Sequence, residues 1–232
     1  IRSSLKGDFM ASCGKINDIT ETNQQQLLVV DLDGTILKSD MLYESFWSAL
    51  SRKWSNFFLA IVALSRGKAS LKNFLCSEAT IEISTLPYDD KIIALVKEHK
   101  NKGSKVVLAT ASSQYFANSI ASHLKLFDEV YGSDLTKNLK GKHKATFLSS
   151  KFGSNTFTYV GDSFADLAVW KISKKIITVN ASSFLRNKAE NLGKPAEHLV
   201  TKQKSVQPFL MALRPHQWLK NILIFLPLLA AH

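Results

Sequence analysis

The sequence has 232 residues, 45% of them hydrophobic, which is enough for one sizeable α/β core with a small inserted domain but not for two large independent ones. Its formal charge of +11 is concentrated late: between 171 and 220 ten Lys/Arg face two acids, Glu190 and Glu197. That basic stretch runs into an apolar tail instead of interleaving with stacking aromatics, which argues against a nucleic-acid partner and for a membrane surface.

Residues 1–26 are polar, rich in Ser, Asn and Gln and without an apolar signal core, and are expected to form an extension outside the core. The aliphatic run 27–32 ends in acids and Gly34, the pattern of a buried parallel strand opening into a loop. The segment 38–87 follows, with helical apolar patterns at 41–50, 54–64 and 69–78. It is too long for an ordinary βα connection and is expected to be an all-helical cap. Its apolar stretch 54–64 is about half the length needed to cross a bilayer, and is expected to be buried cap core.

The core resumes at 88 and is expected to continue to 200, giving a main domain of 27–37 plus 88–200. A helix at 88–100 precedes a strand at 105–110, a helix at 114–124 and a short strand at 129–131. A helix starts near Lys144, and a strand at 157–160 leads into a helix at 164–172 and a further strand at 175–179. Strands alternating with helices predict an α/β fold with a doubly wound parallel sheet, the cap lying between strands 1 and 2.

In such sheets ligands bind beyond the carboxyl ends of the strands. Three of those ends carry Asp31 and Asp33, then Thr110 and Ser112, then Asp162 with Asp166 one helical turn later. Four carboxylates gathered together raise one another's proton affinity unless a cation sits among them, and an all-oxygen set suits Mg²⁺ better than zinc. Lys144 offers a fixed positive charge for a phosphate, with Lys142 as the competing choice. The two cysteines, Cys13 and Cys76, lack metal-ligand spacing and fit a reduced compartment. The six histidines form no paired ligand spacing, and neither a Gly-x-Ser-x-Gly elbow nor a P-loop occurs.

Asp31-Leu32-Asp33-Gly34-Thr35, Thr110, Lys144 and Gly161-Asp162-Ser163-Phe164-Ala165-Asp166 appear in order over about 27–179. Together they resemble the four motifs of the haloacid dehalogenase-like (HAD) superfamily of phosphohydrolases, which implies a Rossmannoid core. The resemblance implies that Asp31 is a covalent nucleophile forming an aspartyl-phosphate. Asp33 would be the acid and base, with its main-chain carbonyl on the metal. Asp162 would bind Mg²⁺ directly and Asp166 would support it. Thr110 and Lys144 would hold the transferring phosphoryl group, in a phosphate site that also takes in Asp31, Gly34, Thr35 and Ala111. An acid at position 33 favours a phosphatase or a phosphomutase over a transport ATPase.

The tail, Arg214-Pro215-His216-Gln217-Trp218-Leu219-Lys220-Asn221 with the apolar run 222–231, combines basic residues, an interfacial tryptophan and too few apolar residues to span. It resembles the start of UbiA-type polyprenyl transferases, and HAD-like domains fused ahead of such enzymes share its look; an amphipathic anchor is the alternative. The aspartate-rich prenyl-diphosphate motifs of those transferases are not in the sequence. The whole predicts a Mg²⁺-dependent phosphatase acting on a phosphorylated small molecule or a polyprenyl-linked or sugar phosphate. It would work on the cytosolic side of a membrane reached through 201–232, or in the cytosol when that segment is cut short. A regulatory or docking domain for a membrane transferase is the other reading.

Overall fold

A computed structural model describes residues 26–53, 55–78, 81–134 and 137–201. The expected N-terminal extension, apart from Gln26, and the expected membrane-entry tail, apart from Thr201, lie outside the described residues. The chain divides after Leu199 into two units, and the second contributes only Val200 and Thr201 to the description.

Six parallel strands form one sheet: β1 (Leu27–Val30), β2 (Lys105–Ser113), β3 (Glu129–Ser133), β4 (Phe157–Gly161), β5 (Lys175–Val179) and β6 (Ala196–Leu199), in the order β3-β2-β1-β4-β5-β6. The unbroken apolar run of β1 follows from its place: it pairs with β2 on one side and β4 on the other, and Leu28, Val29 and Val30 are fully buried. Side chains alternate between two apolar layers. Leu28, Val30, Val106, Leu108 and Val160 face one, and Val29, Val107, Phe157, Tyr159 and Ile176 face the other. Truncating a fully buried Leu28 or Leu108 to Ala is expected to cost ~2–5 kcal/mol.

Between β1 and β2 come α1 (Met41–Arg52), α2 (Ser55–Ser65), α3 (Lys68–Glu78), a 3-10 turn at Ile83–Thr85 and α4 (Asp90–Asn101). The first three pack on one another. Asp40 starts α1 by accepting the Leu42 N–H at 2.7 Å, and Asp89 starts α4 by accepting that of Lys91 at 3.1 Å. The core then adds α5 (Gln114–Leu124), α6 (Lys142–Phe152), a 3-10 turn at Phe164–Asp166 running into α7 (Leu167–Trp170), and α8 (Ser183–Glu190).

Four details differ from expectation. Strand β2 runs on through Ser113, because β3 continues beside it and pairs Ser113 with Ser133 after a register shift. The helix expected over 164–172 is a 3-10 turn and a four-residue helix. The polar α8 and the half-buried edge strand β6 carry too weak an apolar pattern to be seen in advance.

The fourth is α2, which is not buried core. It turns Asn56, Ala60 and Ala63 inward and leaves Phe57, Phe58, Leu59, Ile61, Val62 and Leu64 between 39% and 69% exposed. Its main packing partners are the short helices α1 and α3, which cannot cover it all round. Among the described residues no helix is long and apolar enough to cross a membrane.

Candidate active site

Val30 pairs with Leu108 on one side and Val160 on the other, so Asp31 leaves β1 level with Ala109 and Gly161. The Asp31 N–H still donates to the Val160 carbonyl at 3.0 Å, and its own Oδ1 accepts the Leu32 N–H at 2.8 Å. The strand order reverses between β1 and β4, so this is the switch point at which doubly wound sheets open a crevice. Asp31, Asp162 and Asp166 converge there, with carboxylate oxygens all within 4.8 Å of one another.

Lys144, in the first turn of α6, lies 2.9 Å from Asp31 Oδ2 and 3.7 Å from Asp166 Oδ1, and is only 2% exposed. Lys142 is exposed, so the structure chooses Lys144 of the two. Tyr159 joins the pair from β4: its hydroxyl accepts from Lys144 Nζ at 2.9 Å and donates to Asp166 Oδ1 at 2.8 Å. The Asp166 Oδ2 atom accepts the Ser163 N–H and hydroxyl, at 3.0 and 2.8 Å.

Three carboxylates against one ammonium leave a formal charge of −2 in a nearly dry site. Burial is the main reason the Asp31 carboxyl is pushed up to about 7; the Asp166 and Asp33 charges add to it and Lys144 offsets part. Burial opposes the charge on Lys144, yet Asp31 and Asp166 outweigh it and hold that pKa above the lysine range. A hard divalent cation bound by oxygen would supply the missing charge, so the donor set fits Mg²⁺.

Asp33 stands outside that trio, with its carboxylate tied elsewhere. Its Oδ1 accepts the Met41 N–H at 2.8 Å, and its Oδ2 accepts Ser112 Oγ at 2.6 Å and Thr110 Oγ1 at 3.4 Å. The metal contact expected of Asp33 concerns its main-chain carbonyl, a different atom. Thr110 is fully buried and also accepts the Ser112 N–H at 3.0 Å, while Ala111 sits half-buried between them. Thr35 is buried, its hydroxyl without a hydrogen-bond partner among the described residues. Gly34 adopts φ +70°, and a Cβ there would overlap the Asp162 carboxylate.

The profile of the haloacid dehalogenase-like hydrolase family matches residues 28–171, the stretch from β1 to the end of α7 that holds all of these residues. The chain belongs to that family. A protein of Sinorhizobium fredii called y4nM, itself uncharacterised, is 34% identical over 215 residues. The match covers 92% of this chain but only 42% of that protein, so the chain spans less than half of its relative. Among solved structures, a protein of unknown function from Bordetella pertussis Tohama I aligns over 75% of this chain and 98% of its own, with TM-score 0.58 and 16% identity. A substrate-bound phosphoserine phosphatase aligns over 81% of this chain and 98% of its own, with TM-score 0.52 and 16% identity. At such identities the likeness is one of fold.

One residue of the site went unassigned in the sequence, and another was placed there without its role. Tyr159 lies in an apolar strand run, where a hydroxyl that must find a partner in the core is the available signal. Ser112 is expected at the strand end beside Thr110, and only the folded chain shows it holding Asp33.

Proposed function

We propose that this chain is a Mg²⁺-dependent phosphatase that hydrolyses a phosphomonoester through an aspartyl-phosphate on Asp31. The observation that carries the reading is the Asp31 carboxylate, 2.9 Å from Lys144 Nζ and grouped with Asp162 and Asp166. Asp31, Asp162 and Asp166 would hold Mg²⁺, which when bound screens an anionic phosphate from the nucleophile.

An Asp31 carboxylate oxygen bonds to phosphorus as the bond to the ester oxygen breaks. Asp33, protonated, gives its proton to that leaving oxygen. Burial holds the Asp33 carboxyl above its ordinary range against the pull of the Ser112 and Met41 donors, which suits an acid. Asp33, now a carboxylate, then takes a proton from water as the water oxygen bonds to phosphorus. The bond to Asp31 breaks and inorganic phosphate leaves. Thr110 and Lys144 donate to the phosphoryl oxygens, and Tyr159 keeps Lys144 and Asp166 in place.

The helices α1–α3 serve in this reading as a cap. Its support is that the Met41 N–H, in the first turn of α1, binds Asp33 directly. The proposed substrate is a polyprenyl-linked or sugar phosphate at the cytosolic face of a membrane, supported by the basic, aromatic and apolar sequence of 213–231 alone. No nucleic acid is involved. The test is phosphate release from a panel of phosphoesters, lipid-linked sugar phosphates included, with and without Mg²⁺. Mg²⁺-dependent release that disappears in Asp31→Asn supports the reading; no release from any ester by protein that binds Mg²⁺ rejects it.

A further inference from the structure

Helix α2 is built inside out. Its buried stripe, Asn56, Ala60 and Ala63, is small and partly polar, and the Asn56 side chain donates to the Ala49 carbonyl of α1 at 2.8 Å. The large apolar residues point away, Phe58 being 69% and Ile61 52% exposed. Small residues between helices and large apolar ones outside is the arrangement of helices that face lipid. The neighbouring α1 adds Leu42, Tyr43 and Trp47, with Tyr43 and Trp47 in edge contact, ring centroids 6.0 Å apart. Soluble monomers seldom leave so much large apolar side chain uncovered.

The charge around α2 has one sign, while the start of α1 carries Asp40 and Glu44. From Ser45 to Ser77 the sequence holds five Lys/Arg and no Asp/Glu. Exposed Lys53 and Arg66 stand at the two ends of α2. Two such surfaces facing each other across a two-fold axis would set like charges together, which disfavours a second copy as the occupant. An anionic bilayer satisfies both halves of the pattern, because its acyl region takes the aromatic and aliphatic groups while its headgroups attract the flanking cations. At 11 residues α2 is ~16 Å long, about half the ~30 Å hydrocarbon thickness, so it lies in the interface and does not span it.

We infer that the three-helix insertion is itself a membrane-docking element, seating α1 and α2 in the interface of an anionic lipid bilayer. Docking of this kind asks nothing of the chemistry at Asp31. It is also separate from any anchoring by 213–231. Because the Met41 N–H of α1 binds Asp33, docking through α1 would act on an element that touches a catalytic residue.

The test uses the full 232-residue chain with Cys13 and Cys76 replaced by Ser and a bimane label on Phe58→Cys. It is titrated with vesicles of phosphatidylcholine alone or mixed with phosphatidylglycerol. The expected result is a blue-shifted bimane emission with the anionic vesicles only, weakened by salt. In a second arm, the unlabelled Phe58→Asp/Ile61→Asp variant should lose at least ~tenfold in vesicle affinity, since two large apolar groups no longer enter the interface. Both positions are exposed, so circular dichroism should show an unchanged fold.

Unchanged emission while the protein still sediments with vesicles would mean that the tail alone binds, and would overturn the inference. A shift that grows with protein concentration without vesicles would assign the surface to self-association and overturn it equally. Hydrolysis of p-nitrophenyl phosphate on the same samples reports on the phosphatase reading separately, so either result can fail without the other.

Discussion

The Tyr159 hydroxyl donates to Asp166 Oδ1 at 2.8 Å in the floor of the site, and both side chains are buried. The Tyr159 hydroxyl oxygen in turn accepts from Lys144 Nζ, so one phenol fixes both the cation and one of the three carboxylates. Tyr159→Phe keeps the ring in the core and removes only these bonds. It is expected to lower kcat or Mg²⁺ affinity by ~10–100-fold, the usual cost of losing a group that orients ligands. A Mg²⁺ titration of phosphate release would show it, and an unchanged titration curve would mean that Tyr159 only packs.

Magnesium should stabilise the folded protein, because the three carboxylates meet only when it is folded. At a concentration of about a hundred times Kd the gain is ~2.7 kcal/mol, visible as a rise in Tm. Asp162→Asn should remove most of that rise while leaving the metal-free Tm near that of the parent. An equal rise in both proteins would place the ion elsewhere.

Ser112→Ala removes the 2.6 Å donor to Asp33 and leaves only the longer Thr110 bond on that oxygen. Asp33 must be well placed twice, once to give a proton and once to take one. We expect kcat to fall ~tenfold or more, a part of the ~10²–10⁴-fold that general acid-base catalysis contributes. Acid-quench trapping of labelled phosphate on the protein checks the second step: more trapped label means slower hydrolysis of the Asp31 intermediate.

Gly34→Ala puts a methyl group into the Asp162 carboxylate and forces φ +70° on a residue that avoids it. Strain of this kind costs ~1–3 kcal/mol before any clash is counted. Thermal melts should show the loss, and Mg²⁺ affinity should fall with it because Asp162 has to move.

Glu129, at the head of β3, is held to about 2 by its hydrogen bond from Lys105, then that from Tyr131, with Lys151 contributing. A carboxyl lowered on folding adds stability that is complete above its unfolded value near 4.5 and is lost as the pH falls towards 2. Glu129→Gln should therefore be less stable than the parent at neutral pH, by ~1 kcal/mol or less because these groups are partly solvated. The difference should close between pH 4.5 and 2. Urea melts across that range measure it; a gap that persists below pH 2 would mean that packing, not charge, is involved.

The alternation of strands and helices was legible in the sequence, and so were three of the four motif positions. Both depend on local properties: an apolar run between turn signals becomes a buried strand, and acids at strand ends must face the crevice. For the lysine the sequence favoured Lys144 and left Lys142 as a competitor, because both sit in one basic run. Which of the two reaches Asp31 depends on how α6 is rotated against β4. The partners of Tyr159 and Ser112 were hidden for a related reason, since Asp166 and Asp33 stand 7 and 79 residues away and meet them only in the folded chain.

The apolar stretch of α2 shows the limit most plainly. Its composition predicts burial, and composition is blind to what surrounds a helix. The folded arrangement, in which α2 packs mainly on two short neighbours among the described residues, is what puts Asn56 inside and Phe58 outside.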